Sequence, residues 1–261
     1  MKFTAGARKL GWLLLPIVLV MAGAVWFALD PGFRGSEDPP EATLPNDELD
    51  RRIRAYILEN PEVIVEAMQR LQARQRTAAA SEAEAVLRAR ADEVFRDATS
   101  PVGGNPDGDV TLVEFFDYNC PYCRSVAPVM NEVEAADPQL RIVYKEFPIL
   151  GPNSVYAAKA ALAAHRQGRY LALHQALMQA EGAADSDRVL AVAAEVGLDV
   201  ERLKTDMEDS AIQEAIDRNL ALAEALRITG TPGFVVGRRV LRGATDLATL
   251  QRLIAEARVT E

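Results

Sequence analysis

The chain has 261 residues, 49% of them hydrophobic, with a formal net charge of -9. That length suffices for one ordinary domain core with material to spare. The acidic balance excludes a nucleic-acid partner, because phosphate binding needs a concentrated excess of Lys and Arg, and no such face is present.

In chain order, the first element is apolar. Lys2, Arg8 and Lys9 come before any acid, and Leu10 to Leu29 then runs without a charge. As a helix rising ~1.5 Å per residue, this run would cross the ~30 Å hydrocarbon core of a bilayer. Trp12 and Trp26 lie near its ends, where amphipathic rings favour the headgroup region, and the residues that follow are acidic, so the positive-inside bias keeps Lys2 to Lys9 in the cytoplasm. The alternative is a cleaved signal peptide, for which Ala22-Gly23-Ala24 supplies small residues. Residues 1–30 are therefore a membrane anchor or a signal, and both readings place the remainder in an oxidising compartment, the periplasmic side of the inner membrane.

Residues 31–46 read as a linker, with Pro31, Gly32, Gly35, Pro39, Pro40 and Pro45 among polar side chains. Residues 47–98 read as a helical stalk. One helix starts at Asn46 or Asp47 and carries Leu49, Ile53, Ile57 and Leu58; Asn60-Pro61 breaks it, and a second begins at Pro61 with Ile64, Met68 and Leu71, resuming after an Ala-rich stretch as Leu87, Ala91 and Val94. This stripe is too narrow to be buried by its own segment. It implies either homo-oligomerisation or an arm lying on the remainder of the same chain.

Residues 99–261 form the α/β part. Ser100 to Asp109 is a turn-rich boundary; Val110 to Phe116 suits a buried central strand, Pro121 to Ala136 a helix and Leu140 to Phe147 a second strand, an order that predicts a parallel pair. Helical signals fill an insertion at about 152–228, with N-cap candidates Ser186, Asp199 and Ser210, the last in a capping-box relation to Gln213. Strand character returns in Phe234 to Val236 and Arg239 to Leu241, and Asp246 to Ala257 closes the chain as a helix.

The two cysteines are three apart, in Cys120-Pro121-Tyr122-Cys123, directly after a strand and opening a helix. Unpaired N–H groups and the positive dipole end at a helix start favour a thiolate, which is the reactive species. The i to i+3 spacing puts the second sulfur on the same face, and Pro121 suits the first helical position. A structural bridge closing so small a loop would restrain little chain entropy. Zinc would need about four ligands, and only His165 and His174 remain as soft candidates, nine apart and not on one helix face. Redox catalysis is the reading these residues favour, with no metal and no cofactor; the two histidines read as ordinary surface or packed residues.

Glu114-Phe115-Phe116-Asp117-Tyr118-Asn119-Cys120-Pro121-Tyr122-Cys123, the helical insertion and Gly230-Thr231-Pro232-Gly233 together resemble the DsbA-like branch of the thioredoxin superfamily over about residues 100–259. Leu58 to Glu62 is similar, with less specificity, to the stalk of suppressor-of-copper-sensitivity C proteins, which are oligomeric isomerases. The resemblance implies an α/β thioredoxin fold interrupted by a helical subdomain, a solvent-exposed Cys120 that attacks and a buried Cys123 that resolves. It also implies a cis Pro232 in a loop where Thr231 and Pro232, with Pro121 and Tyr122, meet substrate backbone.

Glu114 lies in a run with apolar residues on both faces. Burial there holds its proton tightly and suits it to relay a proton to and from Cys123, the role of the family's buried acid; the alternative is an ion pair with Lys145 on the next strand. Tyr122 stands where the family's strongest oxidants carry His, and a neutral phenol gives Cys120 no positive charge. A less stabilised reduced form means a less oxidising couple, which favours isomerase or reductase work on cysteine-containing secreted proteins, recharged by a membrane redox partner. The other readings are a chaperone or copper-handling partner whose dithiol holds Cu(I), and a dedicated electron relay.

Overall fold

The computed structural model describes residues 46–260. The apolar run Leu10 to Leu29, the whole anchor or signal segment and the linker up to Pro45 lie outside the described residues. Among the described residues no helix is long and apolar enough to cross a membrane.

The chain divides after Glu66 into two compact units. The first contains helix α1 (Asn46–Glu59) and the start of α2 (Glu62–Ala89). The break between them falls at Asn60-Pro61, where both the backbone N–H and the side-chain amide of Asn60 donate to the Tyr56 carbonyl at 2.9 Å and satisfy an orphan group of the helix end. Leu49, Ile53, Tyr56, Leu58, Ile64 and Val65 of this unit are exposed.

The second unit holds the rest of α2, α3 (Ala91–Phe95) and a five-stranded sheet in the order β1-β3-β2-β4-β5. Its strands are β1 (Val102–Gly104), β2 (Val110–Phe116), β3 (Leu140–Glu146), β4 (Gly233–Val236) and β5 (Arg239–Arg242). β2 and β3 pair in parallel through the crossover helix α4 (Pro121–Ala136), and the other pairs are antiparallel. The insertion between β3 and β4 comprises α5 (Pro152–Arg166), α6 (Tyr170–Gln179), α7 (Ser186–Glu195), α8 (Val200–Met207) and α9 (Ser210–Ala225), and α10 (Leu247–Thr260) follows β5.

Strand alternation gives the sheet two buried faces. Leu112, Phe116, Ile142, Tyr144 and Phe234 join the larger core with α4, α10 and the insertion, while Val113, Phe115, Val143 and Val235 face Leu87, Val94 and the end of α9. The last turns of α2 therefore do lie on the catalytic unit, whereas Met68 and Leu71 earlier in the same helix are exposed.

Three local expectations change. The segment Ser100 to Asp109 is not turn throughout: β1 pairs with β3, and Gly104 permits it, since its φ is +64° and a Cβ there would meet the Leu140 carbonyl oxygen at 2.4 Å. Ser186 and Ser210 are not N-caps; Asp185 and Asp209, one residue earlier, accept from Arg188 N and Ala211 N, and Gln213 bonds Asp217 in place of a capping box. Asp199 caps α8 by accepting from Arg202 N.

Candidate active site

β2 ends at Phe116, and the loop that follows is built by one side chain. Asp117 accepts from Asn119 N at 2.8 Å through one carboxylate oxygen and from Ile149 N and Leu150 N at 2.9 and 3.0 Å through the other. Its carbonyl accepts from Cys120 N at 3.1 Å. The short polar side chain replaces ladder partners that the chain loses on leaving the sheet. Asn119 continues the clamp, donating to Ser154 Oγ and accepting from Ala184 N, so the insertion holds the loop from the other side.

Cys120 is the N-cap of α4, with φ −81° and ψ 117°, and Pro121 occupies the first turn. Both thiols are free. Cys120 is only 4% exposed and Cys123 is fully buried. The expected solvent-exposed attacking cysteine is thus corrected: the loop before β4 covers it, and Cys120 Sγ donates to the Thr231 carbonyl at 3.3 Å. The Thr231-Pro232 peptide is cis, with Pro232 buried and Thr231 half-buried, while Pro121 and Tyr122 face solvent.

Burial pushes the Cys123 thiol well above its usual range; the charges of Glu114 and Cys120 act in the same direction, and hydrogen bonds from the Asp117 backbone and Thr231 side chain oppose them. Cys123 therefore holds its proton. Glu114 is 3% exposed, and burial raises its carboxyl to about 8. The alternative pairing with Lys145 does not occur. Register sets Glu114 opposite Tyr144 and Lys145 opposite Phe115, so the two charges project from opposite faces of the sheet. Lys145 Nζ instead donates to Glu93 O, Asp97 Oδ2 and Ser100 Oγ at 2.8, 3.1 and 2.7 Å.

The structure thus brings Cys120, Cys123, Glu114, Thr231 and Pro232 together, with Pro121 and Tyr122 on the outer side of the helix start. Sequence reasoning missed several neighbours. Arg124 donates to Tyr118 O at 2.8 Å and Ala180 O at 2.7 Å, tying the loop to the end of α6. Ile149 and Leu150 are exposed beside the loop, held there by Asp117. His174 is a packed residue, buried between Phe116, Tyr144 and Tyr170, and burial lowers it to about 3. The available signal was Tyr170 and His174 at helical i, i+4 spacing, together with Glu146 at the end of a strand that carries Ile142, Val143 and Tyr144. His165 is exposed. Among the described residues no group of three or more His, Cys, Asp or Glu side chains could hold a metal ion.

Comparison with known proteins gives two family matches. Residues 111–255 match the DSBA-like thioredoxin domain, and residues 47–78 match the copper resistance protein ScsC N-terminal domain. A thioredoxin-like oxidoreductase from Silicibacter pomeroyi DSS-3 shares 49% identity over 64% of this chain and 97% of its own, with a TM-score of 0.64. A linker-deletion mutant of Proteus mirabilis ScsC shares 28% identity over 85% of this chain and 100% of its own, with a TM-score of 0.65. Among curated proteins, a Na(+)/H(+) antiporter NhaA of Herminiimonas arsenicoxydans is 33% identical over 60% of this chain, which spans only 25% of that relative's length. With the dithiol at a helix start, the cis-proline loop beside it and the helical insertion all present, the chain belongs to the DsbA-like thioredoxin domain family and carries an N-terminal stretch of the ScsC type.

Proposed function

We propose that this protein is a thiol–disulfide oxidoreductase that works outside the cytoplasm on cysteine-containing secreted proteins, leaning to isomerisation or reduction. The supporting observation is the pair of unlike thiols at the start of α4, one at the N-cap and one buried beside a carboxyl that burial raises to about 8. Cys120, as thiolate, attacks a sulfur of the substrate disulfide; that S–S bond breaks, and a substrate thiolate leaves as the mixed disulfide forms. For isomerisation, the released thiolate attacks a different substrate disulfide, and a later substrate thiolate frees Cys120. For reduction, Cys123 attacks Cys120 Sγ while Glu114 takes the Cys123 proton, and the reduced substrate departs.

Pro121, Tyr122, Thr231 and Pro232 serve substrate binding in this reading, with exposed Tyr122, Ile149 and Leu150 offering apolar purchase to unfolded chains. The lean away from simple oxidation rests on Tyr122 and on the Cys120 sulfur, whose hydrogen-bond partner among the described residues is a carbonyl and not a cation. Residues 1–30 as anchor or cleaved signal, the exposed first part of the 47–98 segment as an oligomerisation stalk and a membrane protein as redox partner complete the proposal, which needs no cofactor. Cys123→Ser tests it: mixed disulfides with scrambled multi-disulfide substrate should accumulate on Cys120, and a wild-type chain that reactivates such substrate no faster than glutathione removes the isomerase reading.

The match of residues 47–78 to a copper resistance protein domain favours one second reading, in which the two thiolates hold Cu(I). Tight Cu(I) binding with negligible thiol exchange would select it.

A further inference from the structure

Beneath the loop that leads into the dithiol lies a buried polar cluster with no part in the exchange chemistry above. Glu146, at the end of β3 and 1% exposed, accepts hydrogen bonds through Oε1 from Tyr170 at 2.8 Å and from Tyr118 at 3.1 Å. The Tyr118 oxygen also lies 3.2 Å from His174 Nδ1. With the phenol proton directed to Glu146, Nδ1 must carry the hydrogen of that second contact. The Tyr118 main chain is held too, since its carbonyl accepts from Arg124. One residue, two positions before Cys120, is thus gripped at both ends by β3, α6 and α4.

No cation hydrogen-bonds Glu146 among the described residues, and its Oε2 is buried without a hydrogen-bond partner there. A bare carboxylate so placed would be costly. Burial raises the Glu146 carboxyl well above its usual range, in spite of hydrogen bonds from Tyr170 and Tyr118, and lowers His174. Burial thus disfavours the charged form of each group, which favours a grip of uncharged hydrogen bonds.

We infer that Glu146, Tyr118 and His174 are positioning residues for the nucleophile, holding Cys120 at the start of α4 in the reduced enzyme. The asymmetry between redox states is the reason. In the oxidised enzyme the Cys120–Cys123 bond itself pins Cys120 to the helix. In the reduced enzyme only non-covalent contacts do so, and the helix-start environment that favours the thiolate exists only while Cys120 stays there. Loosening Tyr118 therefore costs the reduced form more than the oxidised form and makes the couple less oxidising.

The inference rests on Cys120 and Cys123 being the redox pair, and the experiment separates the two. The equilibrium of the full-length protein dithiol with oxidised glutathione, giving protein disulfide and two glutathione thiols, is measured for wild type, Tyr118→Phe, Glu146→Met and Glu146→Gln, alongside thermal unfolding. Loss of one of these hydrogen bonds should move the constant toward protein disulfide by roughly threefold to tenfold in Tyr118→Phe and Glu146→Met. Glu146→Gln keeps a neutral acceptor and should stay within about twofold of wild type. Tyr118→Phe with lowered unfolding temperature and unchanged equilibrium would make the cluster merely structural and overturn the inference. So would a Glu146→Gln shift as large as that of Glu146→Met, which would show that an ionised carboxylate matters. A wild-type dithiol that reaches no such equilibrium defeats the underlying redox reading instead.

Discussion

Glu114 is an acid set in an apolar strand, and its effect on stability has a definite sign. Its ordinary value is 4.5 and burial raises it to about 8 in the folded protein. The folded state then binds more protons than the unfolded chain between those values, so the stability this group lends is full below about 4.5 and is lost as pH rises through about 8. Glu114→Gln removes the dependence: the unfolding temperature of the variant should change less between pH 5 and pH 8.5 than that of wild type. The same substitution should flatten the pH profile of the step in which Cys123 resolves a mixed disulfide, because the buried thiol loses its base. An unchanged profile, followed by stopped-flow thiol exchange, would remove Glu114 from the mechanism. Asp117 is the residue-scale counterpart, a carboxylate that organises four backbone groups through the N–H of Asn119, Ile149 and Leu150 and, by its carbonyl, that of Cys120.

At the scale of elements, α2 changes role along its length. Its exposed residues include Ile64, Val65, Met68 and Leu71, but Ala83 and Leu87 are buried, and Leu87 packs in the cluster with Val94, Phe115 and Val143. Leu87→Ala should cost about 2–4 kcal/mol of stability by removing buried methyl groups and leaving a cavity, measured as a lower urea midpoint with an unchanged slope. A cost near that of a surface substitution would mean that the end of α2 is detached from the sheet in solution. The α3 segment is fastened by charge: Lys145 reaches across to Glu93 O, Asp97 and Ser100, and these hydrogen bonds satisfy a cation buried on the far face of the sheet.

For the whole molecule, α1 exposes Leu49, Ile53 and Tyr56 and α2 exposes Ile64, Met68 and Leu71, and in each helix such apolar side chains call for a partner. The full-length protein should sediment above the 28.5 kDa of one chain. Charge placed on this surface, in Ile53→Glu with Met68→Glu, should give monomers that reactivate scrambled substrate poorly, yet exchange with a small disulfide within about twofold of wild type, because multivalent grip is lost and the dithiol is not. A wild-type protein that sediments as a monomer at micromolar concentration would refute the stalk proposal.

The dithiol, its place between a strand and a helix, the parallel pair and the break at Asn60-Pro61 were legible in sequence because each depends on local periodicity or on residues a few positions apart. The exposure of Cys120 was not, because the group that covers it, Thr231, is 111 positions away. Nor was the separation of Glu114 from Lys145, which depends on strand register, or the burial of His174 among aromatic rings contributed by β2, β3 and α6. Local chemistry determined which side chains could react; only packing between distant segments decided which of them lie in water, and therefore which hold their protons.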